Sequence, residues 1–234
     1  MGRLRSKDPV NQGLIEVADQ QGFERLGLMN NQVWRDDPRR LVFTLARYKF
    51  AAKMLAGQDR VVEIGCGDGF CARLVRQEVT SLTLTDFDPL FIEDIAERAN
   101  PAWPVEAFTH DLVMGPLPQT YSAAYSLDVL EHIPKASEAQ FLRHLCQSLI
   151  SDGVAILGMP SLESQAHASP ASREGHVNCK SGSEFRRLAQ SYFRHVFMFS
   201  MNDEVVHTGF MPMAHYLIAL CVGPRHEDTR DVQP

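Results

Sequence analysis

The run Val61-Val62-Glu63-Ile64-Gly65-Cys66-Gly67-Asp68-Gly69-Phe70 holds the turn from which the architecture can be read. A short apolar stretch ends in glycines at every second position, which predicts a buried strand running into a sharp turn. Glycines there allow positive φ and let a ligand approach the main chain without meeting a Cβ. Two familiar nucleotide sites are excluded at once. A dinucleotide fingerprint needs a third glycine at position 70, where Phe70 stands, and no G-K-[ST] follows for a phosphate loop.

Working outward, the period changes on both sides of the turn. Before it, residues 1–57 are amphipathic and helical, with Leu14, Ile15 and Ala18, then Leu41, Val42, Leu45, Ala46 and Tyr48, at three- and four-residue steps. Asp37-Pro38 predicts a capped helix start and Gly57 a stop. After it, a helix is predicted over 70–77, a strand over 81–85 ending at Asp86, a helix over 89–99, and strands over 105–109 and 121–127. A helix over 138–150 and a strand over 154–157 follow. Strand and helix alternate, as in a parallel sheet covered on both faces. Residues 161–182 are polar and serine-rich, too long for an ordinary connection, and are expected to be a lid or unstructured. A helix over 183–192, a strand pair over 193–201 and 215–222, and a loose polar tail from 224 complete the reading.

Asp86 lies 23 positions after Glu63, at the end of the second predicted strand. A carboxylate there can accept hydrogen bonds from both hydroxyls of a ribose. With this acid, and with Val61–Gly69, Leu82–Pro89, His110-Asp111-Leu112 and Ala123–Ile133 in register, the chain resembles the class I S-adenosylmethionine-dependent methyltransferases over residues 58–160. The resemblance implies a doubly wound, Rossmann-like α/β sheet of seven strands, the last antiparallel, with an N-terminal helical cap (1–57), the cofactor-binding core (58–160), a substrate loop (161–182) and a C-terminal helix and strand pair (183–223). It also implies S-adenosylmethionine as cofactor and S-adenosylhomocysteine as product. Glu63, Gly65 and Gly67, with Cys66 between the glycines, would face the methionine end. Asp86 would take the ribose, Phe87 and Leu112 would flank the adenine, and Asp111 would receive its amino group. Ser126, Leu127 and Asp128 would end the fourth strand beside the transferred methyl.

Composition limits the acceptor. The chain has 234 residues, 44% hydrophobic and 22% charged, with net charge −6, an ordinary globular make-up without a chain-wide basic footprint for nucleic acid. The amino-methylation motif N-P-P-Y is also absent after the fourth strand, where Ser126-Leu127-Asp128-Val129 stands. Five scattered cysteines with no C-x-x-C pair predict reduced thiols and a cytoplasmic setting, and no apolar run is long enough for a membrane span. A homodimer is compatible with these features.

Local charge points elsewhere than the total. Residues 35–53 hold six basic side chains against two acids, and residues 161–195 hold five against three. Both segments would flank the cofactor edge, so a small anionic or sugar-like acceptor, methylated at oxygen, is expected, with solvated helix faces as the plain alternative. Tyr48 in the first segment, and Arg173, Asn178 and Lys180 in the second, are the acceptor-side candidates. A hydroxyl nucleophile must lose a proton, and His176, His132 and His207 are the candidate bases, His176 first. With no H-x-x-x-H pair on a helix, no metal is expected. N-methylation of a small metabolite and a non-catalytic cofactor-binding scaffold or sensor are the alternatives.

Overall fold

The computed structural model describes residues 5–226. At the middle of its parallel strands lies β1 (Arg60–Ile64), whose side chains alternate between two faces: Val61 packs on one side, Val62 and Ile64 on the other. The same period-two split recurs in β2 (Ser81–Asp86), β3 (Glu106–Thr109), β4 (Tyr121–Leu127), β5 (Leu149–Pro160), β6 (Phe193–Asn202), β7 (Val205–His207) and β8 (Tyr216–Pro224). Tyr125 and Leu127 of β4, with Ile156, Tyr216 and Ile218, face α3 (Pro38–Met54), α4 (Arg73–Arg76) and α5 (Pro89–Glu97). Ala124, Leu157, Leu217 and Ala219 face α6 (Glu138–Gln147) and α8 (Gly182–Tyr192). Both faces of the parallel strands are thereby dry, as such sheets require.

The strand order is β3-β2-β1-β4-β5-β8-β6-β7. β1 to β5 are mutually parallel; β8 runs antiparallel between β5 and β6, and β7 antiparallel on β6. The sheet thus has eight strands rather than the expected seven. The addition is a three-residue hairpin return, Val205–His207, on a free edge after Asp203, which adopts the left-handed region at φ 49°. β1 and β4 are adjacent although β2 and β3 come between them in sequence, so the order reverses beside β1. Such a switch point opens a crevice at the carboxyl ends of the strands.

Capping fixes several elements around that crevice. Asp37 caps α3 and Asp88 caps α5, each with proline in the first turn, and Ser181 with Glu184 forms a capping box on α8. α3 is part of the sheet's own packing through Leu41, Tyr48, Ala51 and Ala52. α1 (Gln12–Gln21) and α2 (Leu28–Asp36) bury no residue, and α2 starts against the glycine turn. The helix expected over 70–77 is only the single turn of α4, and β5 begins at Leu149, where helix was expected through 150.

Residues 161–182 are folded. They form a 3-10 turn, Glu163–His167, and α7 (Pro170–Gly175), pinned by a bridge between Ser161 and Lys180. Of the expected loose tail, Pro224 ends β8 and the Arg225 amide donates to the Tyr192 carbonyl; residues 227–234 lie outside the described residues, as do 1–4.

Candidate active site

The glycine turn is held from two sides. Gly65 and Cys66 donate their amides to the Thr85 carbonyl at 2.8 and 3.0 Å, and Gly67 donates to the Asp86 carboxylate at 2.9 Å. φ is +73° at Gly65, +52° at Gly67 and +63° at Gly69. A Cβ on Gly65 would lie 2.4 Å from the Val129 side chain, and one on Gly67 would lie 2.6 Å from Met29 Sδ. The positive φ and the close approach together require glycine at both positions. Asp68 accepts from the Asn30 amide and side chain, both at 2.7 Å, which ties α2 over the turn.

Asp86 is buried and accepts one backbone N–H on each oxygen, from Gly67 and, at 3.0 Å, from Asp88. A carboxylate offers about four acceptor positions, so each oxygen keeps one for a ribose hydroxyl. Phe87 is 71% exposed, Leu112 is buried, and Asp111 is exposed and accepts from the Val113 amide at 2.8 Å. An apolar shelf, an exposed acid and a Cβ-free turn along one edge fit an adenosyl cofactor.

Four of the residues assigned to the cofactor edge are engaged within the fold. Glu63 is 1% exposed, and its two oxygens accept the hydroxyls of Tyr48 at 2.5 Å and Tyr125 at 2.7 Å. Burial pushes its carboxyl up to about 8, although both tyrosine donors oppose the shift. The Ser126 hydroxyl donates to the Ile64 carbonyl and latches β4 to β1. Leu127 is core. Cys66 is a buried thiol that burial pushes upward, with no reactive character.

On the acceptor side, Tyr48 is spent on Glu63 rather than aimed at an acceptor. Lys180 forms a buried ion pair with Glu138, whose other oxygen binds Lys135, and Asn178 spans Glu138 and the Ile133 carbonyl. Desolvation lowers Lys180, and its pairing with Glu138 opposes this. Arg173 donates to the carbonyls of Ala168 and Ala166. A hydrophobic stripe or a basic run does not reveal that a polar side chain has its partner inside the fold.

The histidines divide. His207 lies on β7, four strand positions from β4, roughly 19 Å at the usual spacing. Its ring is occupied by Asn202 and the Gly209 amide, so it stands apart from the other two. His132 and His176 meet edge to face, with ring centroids 5.1 Å apart. Asn178 donates its amide to the Glu131 carbonyl, which folds the 161–182 segment back onto the 3-10 turn Leu130–His132 after β4. Val129, which packs on Gly65, directly precedes that turn, so the histidine pair sits beside the glycine crevice. Burial, and then His132, lower His176, and the nearby Asp128 opposes them.

Glu131 completes this corner. It is fully buried, and neither carboxylate oxygen has a hydrogen-bond partner; burial and the nearby Asp128 push it well above the carboxylate range. Asp128 sits in the left-handed region at φ 60°, with both oxygens on Arg47 at 2.7 and 2.9 Å. Arg47 lies 3.8 Å over the Tyr216 ring. Burial pulls Arg47 down, but Asp128 and Tyr216 outweigh it. Sequence reasoning placed Asp128 only at the strand end and did not single out Arg47 or Glu131. The one signal available for Glu131 was an acid beside His132 among the apolar Val129, Leu130 and Ile133.

Residues 33–192, more than half of the chain, match the family model described as "Methyltransferase domain". No curated protein matches the chain in sequence. Among solved structures, the putative methyltransferase in complex with the Trm112 activator of Haloferax volcanii is similar at 13% identity and TM-score 0.63, covering 86% of this chain and 100% of that one. The N-methyltransferase NodS of Bradyrhizobium japonicum, in complex with S-adenosylhomocysteine, is similar at 16% identity and TM-score 0.58, over 82% and 92%. The methyltransferase domain of bacterial CtHen1-C is similar at 16% identity and TM-score 0.64, over 77% and 99%. At these identities the likeness is one of fold. The family match, the switch-point crevice and the Asp86-clamped glycine turn agree: the chain belongs to the class I S-adenosylmethionine-dependent methyltransferases, an enzyme family whose cofactor is S-adenosylmethionine.

Proposed function

We propose that the protein transfers the methyl group of S-adenosylmethionine to a hydroxyl of a small acceptor, which sits at the corner formed by Glu131, His132 and His176. The observation that carries this reading is the histidine pair itself, 5.1 Å apart and on the turn that follows the glycine crevice. A sulfonium methyl transfers by in-line displacement, so the protein's contribution is chiefly to hold the acceptor oxygen close and aligned. A hydroxyl also needs help to lose its proton, which the groups at that corner can supply, whereas a neutral amine attacks with the lone pair it already has. The cofactor contributes the electrophilic methyl; Asp86 and the glycine turn hold its adenosyl part, and α2 covers the turn.

Negative charge on the acceptor has less support. Lys180 and Arg173 are committed within the fold, whereas Arg47, beside the corner, is matched by Asp128. A neutral polyol or phenol fits these side chains as well as an anion does.

The test is release of S-adenosylhomocysteine with panels of hydroxyl and amine acceptors, for the wild type and His176→Ala. The reading expects turnover with a hydroxyl acceptor, lost in the variant while affinity for S-adenosylhomocysteine stays within about twofold, since the residue touches only the acceptor side. Turnover confined to amines, or unchanged in His176→Ala, contradicts it and favours N-methylation. Binding without turnover on either panel favours a scaffold or sensor.

A further inference from the structure

Glu131, His132 and His176 each offer a ligand atom, and these atoms lie within 4.8 Å of one another. Each ring has its Nδ1 committed as a donor: His132 to the Gly175 carbonyl at 2.9 Å, and His176 to Gln165 Oε1 at 2.8 Å. The Gln165 amide is itself oriented by donating its nitrogen to the Ser161 carbonyl, so its oxygen faces the ring. Both imidazoles are therefore fixed in the tautomer whose lone pair is on Nε2. Anchoring of the far ring nitrogen by a carbonyl oxygen is how metal-bound histidines are generally held.

The third group is more telling. Glu131 is fully buried with two unpartnered oxygens beside this pair: protonated it still lacks hydrogen bonds, and its ionised form is stable there only with a positive charge against it. Arg47, the nearby cation, places one terminal nitrogen on both Asp128 oxygens; its Nε has no partner either, yet no hydrogen bond joins it to Glu131. We infer that Glu131, His132 and His176 form a divalent-cation site at the acceptor end of the crevice, open on the side that receives the acceptor. Two imidazoles and one carboxylate suit a borderline ion such as Zn²⁺, Co²⁺ or Mn²⁺ over Ca²⁺, with positions left for acceptor oxygens. Ligand atoms on such an ion stand about 3.0–3.4 Å apart. Binding would draw the three side chains together from within 4.8 Å, and His132, exposed on its 3-10 turn, is the least enclosed of them.

The ion's role, though not its binding, rests on the hydroxyl-methylation reading. It binds the acceptor oxygen and lowers its pKa, and the O–H proton leaves to solvent. The oxygen then forms its bond to the methyl carbon while the carbon–sulfur bond breaks, its electron pair staying on sulfur as the thioether of S-adenosylhomocysteine. His132 and His176 act as ligands in this step, and the ion replaces the general base expected from the sequence.

The test uses the full chain without a polyhistidine tag, stripped with a chelator and titrated with Co²⁺ while visible absorption and binding heat are recorded. One ion per chain with ligand-field bands is expected. His132→Ala, His176→Ala and Glu131→Gln should each weaken binding by more than about tenfold, beyond the lower bound for losing even an outer-shell partner. His207→Ala should bind as the wild type does. Glu131→Gln preserves shape, and melting curves with S-adenosylhomocysteine affinity verify that each variant is folded. Absence of Co²⁺ binding, or equal binding in a folded His132→Ala/His176→Ala double variant, overturns the site. If S-adenosylhomocysteine still binds in that case, the metal inference fails alone. If Co²⁺ binds but no hydroxyl acceptor turns over, the site stands and the acceptor reading fails.

Discussion

Replacing Glu63 by Gln removes a titration that the fold holds far from its ordinary place. The side chain is enclosed by Tyr48 and Tyr125, whose rings meet edge to face, with Asp68 and Asp86 as further negative neighbours, and its carboxyl titrates at about 8 against 4.5 for an ordinary glutamate. In the unfolded chain Glu63 ionises near 4.5, while the folded chain keeps its proton until about 8. The folded state therefore binds more protons between these values. The stability this residue contributes is fully present below about 4.5 and is lost as pH rises toward 8. At 1.36 kcal/mol per pKa unit, the loss between pH 5 and pH 8 comes to about 3.5 kcal/mol, an order-of-magnitude figure for one buried group. Glutamine keeps the shape and still accepts from one tyrosine, but it does not titrate. Urea denaturation of both proteins at pH 5, 6, 7 and 8 measures the difference directly. The stability of the wild type relative to Glu63→Gln should fall across the series by a few kcal/mol and level off above pH 8. Parallel curves would refute the reasoning, because they would mean that Glu63 is ionised in the fold and fully paid for by its two hydrogen bonds.

Other perturbations test other parts of the account. Asp128→Ala should cost about 1–2 kcal/mol more in denaturation than Asp128→Asn, since Asn tolerates the left-handed region that Ala does not. Lys180→Met should destabilise by about 1–3 kcal/mol, because Glu138 loses its buried cation while keeping Lys135 and Asn178, and adding Glu138→Leu should recover part of the loss in melting experiments. Gly65→Ala should lower stability by about 1–3 kcal/mol and abolish binding of S-adenosylhomocysteine, because the new methyl group meets Val129 on a backbone already at positive φ.

The parts of this molecule that were legible in its sequence are those where local chemistry decides. The β1 strand, its glycine turn and Asp86 follow from spacing, and the structure joins them by a hydrogen bond from Gly67 to Asp86. Asp37 and Pro38 start α3 as their types require. Short elements were the least legible: three residues of β7 and four of α4 carry too little periodicity to be separated from turns. Polar residues misled where burial reversed their meaning. Tyr48 and Lys180 look like surface groups in a helical stripe or a basic run, yet each finds a carboxylate inside the fold. The corner around Glu131 was hidden for a third reason. His132 and His176 lie far apart in sequence and meet only because residues 161–182 fold back through the Ser161–Lys180 bridge and the Asn178 amide. No metal spacing is visible along the chain, since the ligands come from two separate segments.

The central claim is that the switch-point crevice binds the adenosyl cofactor through Asp86 and the glycine turn. Calorimetric titration of S-adenosylhomocysteine into the wild type and Asp86→Ala tests it most directly. The account predicts one site per chain in the wild type, weakened in the variant by about 1.5–3 kcal/mol, or roughly ten- to a hundredfold, as expected for losing hydrogen bonds to a charged group. Equal affinity in the two proteins, with both folded, would contradict it.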